Sequence, residues 1–397
     1  MTDLAVDALV VGAGPAGSAT ASFLTDAGWR VLAIDRAEFP RDKACSEYMS
    51  PETVRVLDRL GVTAALCAAG AARLSGSSVT AARGAQLVGR FPEGRGLSIA
   101  RRELDHALVG AARARGVEVL EAVSLEHLMV EHGRVAGAVI RGRDGDLRNV
   151  RASLTIGADG LRSRVARALG GQRLGWPARM AFVAHVAGVP DMADRAEMHV
   201  SSQGYVGLNA IGGGVTNVAL VVPQHRAALA AGRVEAYFMD ELERFPGVRG
   251  RVQLPHVVRE VLVTGPFAAR ARQVTVPGAL LVGDAADFFD PFTGEGICSA
   301  LVGAELVAGT LGRARGSTAA IDRALAGYRR ARWRRFAGKW AVERLIGYSM
   351  TVPGLFDHAV ARIGRRRGMA DTLVGVTGAV LPARAVLNPL FLARMVL

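Results

Sequence analysis

The chain has 397 residues, half of them hydrophobic, which is enough to bury a large core and to form two domains. Its formal charge of +13 comes mainly from scattered arginines, with no basic stretch interleaved with aromatic residues, so nucleic-acid binding is not expected. The three cysteines, Cys45, Cys67 and Cys298, form no paired motif, which argues against a disulfide framework and a metal site and favours the reducing cytoplasm.

The first predicted elements form a β-α-β unit. Residues 7–11 are a short apolar run, residues 15–26 have helical spacing, and residues 30–34 are apolar again. This pattern predicts the start of a parallel sheet. No basic segment precedes the first apolar run, which leads directly into a glycine motif, so the run is interpreted as a strand and not as a signal peptide.

A glycine-rich string, GAGPAG, occupies residues 12–17 between this strand and this helix, and Asp35 follows the second strand. Glycines in such a turn let the backbone approach a pyrophosphate, and the helix N-terminus favours the phosphate charge. An acid after the second strand is placed to accept a hydrogen bond from a ribose hydroxyl. The unit predicts a dinucleotide site, with NAD and FAD both open.

The middle of the chain changes from mixed to antiparallel structure. Helices are predicted at residues 51–60 and 101–115, with short strands between them at residues 74–99. Four alternating runs, at residues 182–189, 196–200, 205–211 and 215–222, predict a separate antiparallel sheet. A buried strand at residues 279–282 precedes a helix at residues 296–311, and the chain beyond residue 319 is predicted to be mainly helical.

Two further motifs follow predicted strands. GADG at residues 157–160 is followed by Arg162, Ser163 and Arg164, and Asp159 either contacts a ligand or caps a helix. GDAA at residues 283–286 is followed by DPFTGEGI at residues 290–297, immediately before a helix. Backbone N–H groups and a helix N-terminus at this place would stabilise negative charge on a bound ligand.

Together these motifs resemble the FAD-dependent oxidoreductases of the p-hydroxybenzoate hydroxylase fold, over residues 5 to 325. The resemblance implies an α/β fold with a Rossmann-like FAD-binding domain, an antiparallel β-sheet substrate domain and a C-terminal helical cap. The implied FAD-binding domain comprises residues 1–75, 98–178 and 268–325. The substrate domain comprises residues 76–97 and 179–267, and the helical region is 326–397.

The resemblance also implies which residues bind FAD. Arg101 corresponds to the family's arginine contact to the FAD phosphates, and Asp284 to the aspartate that binds the ribityl chain. NAD(P)H is expected only as a transient electron donor, since no second glycine-rich β-α-β unit is present. The predicted cofactor-binding residues are Gly12, Gly14, Pro15, Ala16, Gly17, Asp35, Arg36, Lys43, Ala44, Cys45, Arg101, Val123, Asp159, Gly160, Gly283, Asp284, Pro291, Gly294, Glu295, Gly296 and Ile297.

Within that family, the segment RDKACSEYMSP at residues 41–51 resembles the geranylgeranyl reductase branch, with Ser46 where the branch has glycine. The branch also carries a Tyr-x-Trp-x-Phe-Pro strand, whereas residues 205–210 read YVGLNA. A halogenase Trp-x-Trp-x-Ile-Pro segment is absent from the sequence. The tail at residues 371–397 is similar to flavoprotein monooxygenases that act on alkylresorcinol-type lipophilic phenols.

The resemblance therefore predicts a monooxygenase that hydroxylates a lipophilic aromatic substrate with NAD(P)H and O2, through a flavin C4a-hydroperoxide. The first alternative is a reductase that acts on the C=C bond of an isoprenoid or another substrate. The second alternative is a non-catalytic flavin-binding or electron-transfer protein. The substrate, the choice of NADH or NADPH and the oligomeric state stay open.

The candidates for catalysis are Cys45, His185, Tyr205 and Asn209, with His199 weighed beside His185. Cys45 is either an acid near the flavin or a small buried hydrophobe. His185 and His199, on predicted strands, would either deprotonate a phenol or serve the structure. Tyr205 and Asn209 share one face of their strand and either line the pocket or pack in the core.

Hydropathy predicts no membrane-spanning segment, because each long apolar stretch is interrupted. The nearest approach is the tail at residues 373–397, broken by Pro382, Arg384, Pro389 and Arg394, which is interpreted as a packed cap. The arginine-rich segment at residues 329–335 is interpreted as a solvated helix face. A cytoplasmic location with peripheral membrane contact left open follows from these features.

Overall fold

The computed structural model describes residues 4–352 and 354–396. Residues 1–3, 353 and 397, which the predicted domain ranges include, lie outside the described residues. The strands are β1 (Leu4–Val11), β2 (Val31–Ile34), β3 (Tyr48–Met49), β4 (Ala72–Leu74), β5 (Gly76–Thr80), β6 (Gln86–Arg90), β7 (Gly96–Ser98), β8 (Glu118–Leu120), β9 (Ser124–Glu131), β10 (Arg134–Arg141), β11 (Leu147–Gly157), β12 (Gln172–Leu174), β13 (Arg179–Ala187), β14 (Ala196–Ser201), β15 (Gly204–Gly212), β16 (Val215–Pro223), β17 (Val257–Thr264), β18 (Ala269–Ala271), β19 (Thr275–Val276), β20 (Ala279–Leu281) and β21 (Asp287–Phe288). The helices are α1 (Pro15–Asp26), α2 (Pro51–Leu60), α3 (Thr63–Ala68), α4 (Arg101–Ala114), α5 (Arg164–Ala168), α6 (Gln224–Ala227), α7 (Val234–Leu242), α8 (Gly296–Leu311), α9 (Thr318–Ser349), α10 (Leu355–Gly364), α11 (Arg367–Thr377) and α12 (Pro389–Val396).

The first sheet has the order β19-β20-β11-β1-β2-β8, and β10 and β9 extend from β11 as an antiparallel layer. β20, β11, β1, β2 and β8 run parallel. Their apolar runs are buried on both faces, by α1, α4 and α8 on one side and by the β9–β10 layer on the other. This is the burial that a parallel sheet requires.

The parallel direction explains where the sequence motifs meet. β1, β2 and β20 end immediately before residues 12–17, Asp35 and residues 282–286, respectively, and β11 ends in Gly157, the first residue of the 157–160 motif. Because the carboxyl ends of parallel strands share one edge, these loops are neighbours although they lie far apart in sequence. A ligand site at this edge therefore follows from the topology.

The second sheet has the order β17-β13-β16-β15-β14-β5-β6, antiparallel except for the β14–β5 pair. Residues alternate between its two faces, as the two-residue period of a strand requires. Phe182, Val206 and Leu220 pack against α7 on the outer face. Ala181, Tyr205 and neighbouring inner-face residues point towards the first sheet and the C-terminal helices.

The C-terminal helices complete the molecule. α9 packs along α8, and α10 and α11 pack on β6 at the end of the second sheet. Close approach requires Gly89, where a Cβ would lie 2.5 Å from the carbonyl oxygen of Ala370 in α11. The predicted fold class, a Rossmann-like α/β domain with an antiparallel substrate sheet and C-terminal helices, is confirmed.

One stretch, Gly296–Ala314, is long and apolar enough to cross a membrane by length and composition, contrary to the sequence prediction. This stretch contains α8, which packs against α1, α2 and α9 inside the protein. Leu301, Ala304 and Val307 in α8 are fully buried. The apolar composition of α8 is therefore that of a core helix.

Candidate active site

The glycine motifs bring three loops into direct contact at the carboxyl edge of the first sheet. Gly12 has a φ of +100°, and a Cβ there would lie 2.6 Å from the carbonyl oxygen of Ala158. A Cβ at Gly283 would lie 2.9 Å from the Cβ of Ala16. Residues 12–17, 157–160 and 283–286 therefore form one continuous wall that larger side chains would push apart.

Two guanidinium groups face the start of α1. A Cβ at Gly14 would meet only the Nη2 atoms of Arg41 and Arg101, at 3.5 and 3.8 Å. Asp105 holds both arginines, through two 2.8 Å hydrogen bonds from Arg101 and a 3.0 Å ion pair with Arg41. With the helix N-terminus, this arrangement forms a site for a pyrophosphate.

Sequence reasoning missed Arg41 as a site residue. The available signal was its position in the 41–51 segment, where the family resemblance already noted a basic residue before the cysteine.

Asp35 lies at the end of β2, where a ribose contact was predicted. Its Oδ2 accepts a 2.8 Å hydrogen bond from the Ala13 N–H, and its Oδ1 accepts a 2.9 Å bond from the Ala37 N–H. Val123 donates its N–H to the Asp35 carbonyl, and Arg36 is exposed beside it. These residues form the end of the site that suits an adenosine ribose, outside the lining of the large cavity described next.

A cavity of about 1170 Å³, here called the flavin cavity, lies between the carboxyl edge of the first sheet and the inner face of the second. Its first wall carries Lys43, Arg101, Asp284 and the backbone of residues 14–16. Its second wall is mainly apolar and is formed by Ala181, Val183, Met198, Gly207, Ala219, Val221 and Phe267. A basic wall opposite an apolar wall fits FAD, whose pyrophosphate is anionic and whose ring system is largely apolar.

Asp284 occupies the position predicted for the ribityl contact. Burial raises the pKa of the Asp284 carboxyl, and the nearby cations Lys43, Arg101 and Lys339 oppose that rise. Burial also lowers the pKa of the Lys43 ammonium, with Arg101 adding to the effect. Asp284 is thus a hydrogen-bonding group between cations, suited to the hydroxyl groups of a ribityl chain.

The DPFTGEGI loop is fastened to the second sheet through Asp290. The Asp290 carboxylate accepts a 2.7 Å hydrogen bond from the Tyr205 hydroxyl, a 2.5 Å bond from Arg179 and a 3.0 Å bond from the Phe292 N–H. The loop residues Pro291, Gly294, Gly296 and Ile297 line the flavin cavity. The sheet therefore holds the loop and the N-terminus of α8 against the cavity.

Tyr205 lines the cavity as predicted, but its hydroxyl proton is directed at Asp290. Burial raises the pKa of the Tyr205 hydroxyl well above its ordinary value, and Asp290 adds to the rise. The structure thus gives Tyr205 a positioning role for the loop.

The Glu295 side chain turns away from the flavin cavity. It lies in a separate space between α8, α9 and α11. There its Oε2 forms a 3.3 Å ion pair with Lys339. Burial raises the pKa of the Glu295 carboxyl to about 7, and Lys339 opposes the rise. The backbone of Glu295 belongs to the loop predicted to contact FAD, whereas its side chain faces the opposite side.

Asp159 caps a helix and Gly160 lines the cavity. The Asp159 carboxylate accepts hydrogen bonds from the Ser163 hydroxyl at 2.5 Å and from the Arg164 N–H at 2.6 Å, at the start of α5. Gly160 has a φ of +77°, and a Cβ there would lie 3.4 Å from the Lys43 Nζ. The helix-capping interpretation therefore describes Asp159, which shapes the loop that carries Gly160.

The Cys45 loop rests on a buried polar network. Ala44, Cys45 and Ser46 line the cavity together with Arg101, and the Cys45 thiol accepts a 3.4 Å hydrogen bond from the Glu47 N–H. Glu47, with a φ of +60° and 1% exposure, accepts a 2.8 Å hydrogen bond from the Arg101 N–H. The loop and the arginine are thus positioned together.

The sheet completes this network. His185 Nε2 lies 2.8 Å from Glu47 Oε2, which also accepts a 2.8 Å hydrogen bond from Asn217. Asn217 donates to the Cys45 carbonyl, and Asn209 donates to the Ser46 carbonyl at 3.2 Å. His185 lies outside the residues that line the cavity, so the structure places it and Asn209 in support of the Cys45 loop. Glu47 and Asn217 were missed, because no local pattern links a loop residue to a strand 170 positions away.

The chain matches the FAD binding domain family over residues 5–339. It is 29% identical to the digeranylgeranylglycerophospholipid reductase 2 of Methanothermobacter thermautotrophicus over 358 residues, 88% of this chain and 89% of that protein. It is 31% identical to the menaquinone reductase of Mycobacterium tuberculosis over 317 residues, 74% of each chain.

Among solved structures, a geranylgeranyl bacteriochlorophyll reductase-like protein from Thermoplasma acidophilum superposes with a TM-score of 0.79 at 22% identity, covering 99% of both chains. A triple mutant of the flavin-dependent brominase Bmp2 superposes with a TM-score of 0.82 at 19% identity, covering 96% and 97% of the two chains. At these identities the likeness shows the fold alone. The family match and the cavity agree: the chain belongs to the FAD binding domain family and is an FAD-dependent oxidoreductase.

Proposed function

We propose that this protein is a reductase that uses FAD, with NAD(P)H as electron donor, to reduce a C=C bond of a lipophilic, isoprenoid-type substrate. Relatives that act as reductases over most of the chain support this activity more strongly than the hydroxylation that the sequence predicted. Bound FAD would supply hydride transfer. Substrate turnover, and not electron transfer alone, is supported by the apolar wall opposite the FAD-binding wall.

The observation that carries the proposal is that neither histidine predicted to act as a base lines the flavin cavity. Hydroxylation of a phenol benefits from a base that removes the ring hydroxyl proton. Of the two histidines proposed for that task, His185 is bonded to Glu47, and His199 is bonded to Glu197 at 3.0 Å. Neither belongs to the residues that line the flavin cavity. Reduction of an isolated C=C bond needs no such base, only a dry pocket and a proton source.

Cys45 is the proposed proton source. When a hydride adds to one carbon of the double bond, a proton must reach the other carbon, and the Cys45 thiol lines the same cavity. The thiolate left behind then regains its proton from water, which restores the thiol for the next turnover. Tyr205, another proton-bearing side chain at the apolar wall, already donates to Asp290.

Product analysis tests the proposal. The purified holoenzyme is incubated in air with NAD(P)H and either geranylgeraniol or a long-chain alkylresorcinol, and the products are identified by mass spectrometry. A gain of two hydrogen atoms on the isoprenoid supports a reductase. A gain of one oxygen atom on the phenol, with the isoprenoid unchanged, would instead establish the monooxygenase.

A further inference from the structure

A second cavity of about 750 Å³ adjoins the flavin cavity along the inner face of the second sheet. It lies above β5, β6 and β14 and is closed by α9 and α11. Its apolar lining includes Val79, Leu87, Ile346, Leu373 and Val374. The flavin cavity and the second cavity share the lining residues Ser46, Met198, Gly207, Ala219, Pro291 and Gly294. The two spaces are therefore neighbours with a common boundary.

Small or flexible side chains form that boundary on the sheet. Met198 in β14 pairs directly with Gly207 in β15, which pairs directly with Ala219 in β16. These three positions make a row across the inner face. Methionine adapts its shape more readily than other apolar side chains. In this row, Ala219 has a short side chain, Gly207 has none, and Met198 has a side chain that can move.

Gly207 has no backbone reason to be glycine. Its φ lies outside the left-handed region, unlike that of Gly294, where a Cβ would also lie 2.6 Å from the Tyr48 ring. A Cβ at Gly207 would meet the Met198 Sδ at 3.3 Å, with its next neighbours at 3.9 and 4.0 Å. A glycine inside a strand weakens the strand and often marks a place where a ligand approaches closely.

We propose that the two cavities are one substrate site and that Gly207 determines which substrates fit it. This inference rests on the proposed reductase function for the identity of the reacting group. The reacting C=C bond lies in the flavin cavity, and the apolar chain of the same molecule passes over Gly207 into the second cavity. The substrate class is accordingly a long isoprenoid chain, and short isoprenoids leave the second cavity unused.

Binding is measured without turnover by titrating oxidised holoenzyme with geraniol, farnesol and geranylgeraniol and following the flavin absorption spectrum. In the wild-type protein, affinity is expected to rise with chain length, since each added unit buries more apolar surface. Gly207→Leu is expected to weaken geranylgeraniol binding roughly tenfold to a hundredfold, the range that steric changes in apolar pockets produce. Geraniol binding should change less than about twofold.

Gly207→Ala is the matched control, because its methyl group needs only a small movement of Met198. Ala219→Leu narrows the boundary from β16 and serves as the second test if Gly207→Leu does not fold with FAD. Both leucine variants should select against the long chain. Equal losses for all three alcohols, or no loss for geranylgeraniol, would overturn the inference.

The two proposals fail separately. Chain-length selection that depends on Gly207, without reduction of any isoprenoid, would refute the reductase function and leave the joined site standing. Reduction of isoprenoids with no chain-length dependence in any variant would refute the joined site and leave the reductase function standing.

Discussion

Glu47 shows at the scale of one residue how the site is held. A positive φ in a non-glycine residue costs about 1 kcal/mol or more, and such conformations persist where the surroundings demand them. Here the demand comes from the Arg101 N–H, His185 and Asn217, which all bond to the Glu47 carboxylate. This conformation of Glu47 places Cys45 and Ser46 at the cavity, while their carbonyl groups accept hydrogen bonds from Asn217 and Asn209 of the sheet.

Cys45→Ala should separate the two half-reactions of the proposed reductase. Reduction of FAD by NAD(P)H should proceed at close to the wild-type rate, since that step does not use the thiol. Reduction of the C=C bond should slow by about a hundredfold, the lower end of what a general acid contributes. Rapid mixing with detection of flavin absorbance measures both steps, and Cys67→Ala is the matched control. Wild-type rates for both steps in Cys45→Ala would refute the role.

At the scale of secondary-structure elements, the loop before α8 depends on strands β13 and β15 of the other sheet. Asp290 joins them through Tyr205 and Arg179, and all three side chains are buried. The backbone of residues 291–297 can thus face FAD without support from a side-chain cap on α8. A substitution in the second sheet is therefore expected to change the affinity for FAD.

Tyr205→Phe removes the hydroxyl bond to Asp290 and keeps the ring. Because a hydrogen bond to a charged group contributes about 1.5–3 kcal/mol, the Kd for FAD should rise by about tenfold or more. Isothermal titration of the apoprotein with FAD measures the change. Tyr237→Phe, in helix α7 against the outer face of the same sheet, is the control and should bind FAD normally. Equal FAD affinity in Tyr205→Phe and wild type would exclude this coupling.

On the side of α8 that faces away from the flavin cavity, ionisation of Glu295 makes the free energy of unfolding depend on pH. Its pKa of about 7 in the folded protein exceeds the ordinary value of 4.5, so the folded state binds the proton more tightly than the unfolded state. The stabilisation from protonation is complete below the unfolded value and is lost as pH rises through about 7.

Glu295→Gln should therefore gain stability relative to the wild type between about pH 5 and about pH 8, by up to about 3 kcal/mol. Denaturant unfolding of the holoenzyme at both pH values measures the difference. Glu343→Gln removes a nearby acid that raises the Glu295 pKa, and should therefore reduce the pH dependence that depends on Glu295. A difference between Glu295→Gln and wild type that is the same at both pH values would contradict the assigned pKa.

At the scale of the whole molecule, local sequence motifs predicted the first sheet and the ligand site at its carboxyl edge. Helices α1, α2 and α8 begin and end where their spacing indicated, because proline at the first turn of α1 and α2 and the left-handed Gly61 after α2 mark the boundaries locally. The parallel pairing of β14 with β5 and the direction of the Glu295 side chain depend on distant contacts. His185 was correctly placed on a strand, but its partner Glu47 lies 138 positions away.

An exposed aromatic pair bears on location. Trp176 stacks on Tyr348 with ring centroids 5.8 Å apart, and Leu345 in α9 and Val352 shortly after the end of α9 are also exposed. The protein carries a formal charge of +13. Since aromatic residues and positive charge favour anionic bilayer surfaces, we propose that this face contacts the membrane.

Trp176→Ala with Tyr348→Ala should reduce co-sedimentation with vesicles containing anionic lipid, by about tenfold in apparent affinity. Leu229→Ala, another exposed apolar site, is the control. Vesicle binding that is absent in the wild type, or unchanged in the double variant, would refute this surface.

The central claim is tested most directly by a single turnover without oxygen. Holoenzyme is reduced with one equivalent of NAD(P)H under nitrogen and mixed with geranylgeraniol while flavin absorbance is followed. The proposed reductase predicts reoxidation of the flavin together with one saturated double bond per flavin. A flavin that stays reduced until air enters, and then yields a hydroxylated alkylresorcinol when that phenol is supplied, would contradict it.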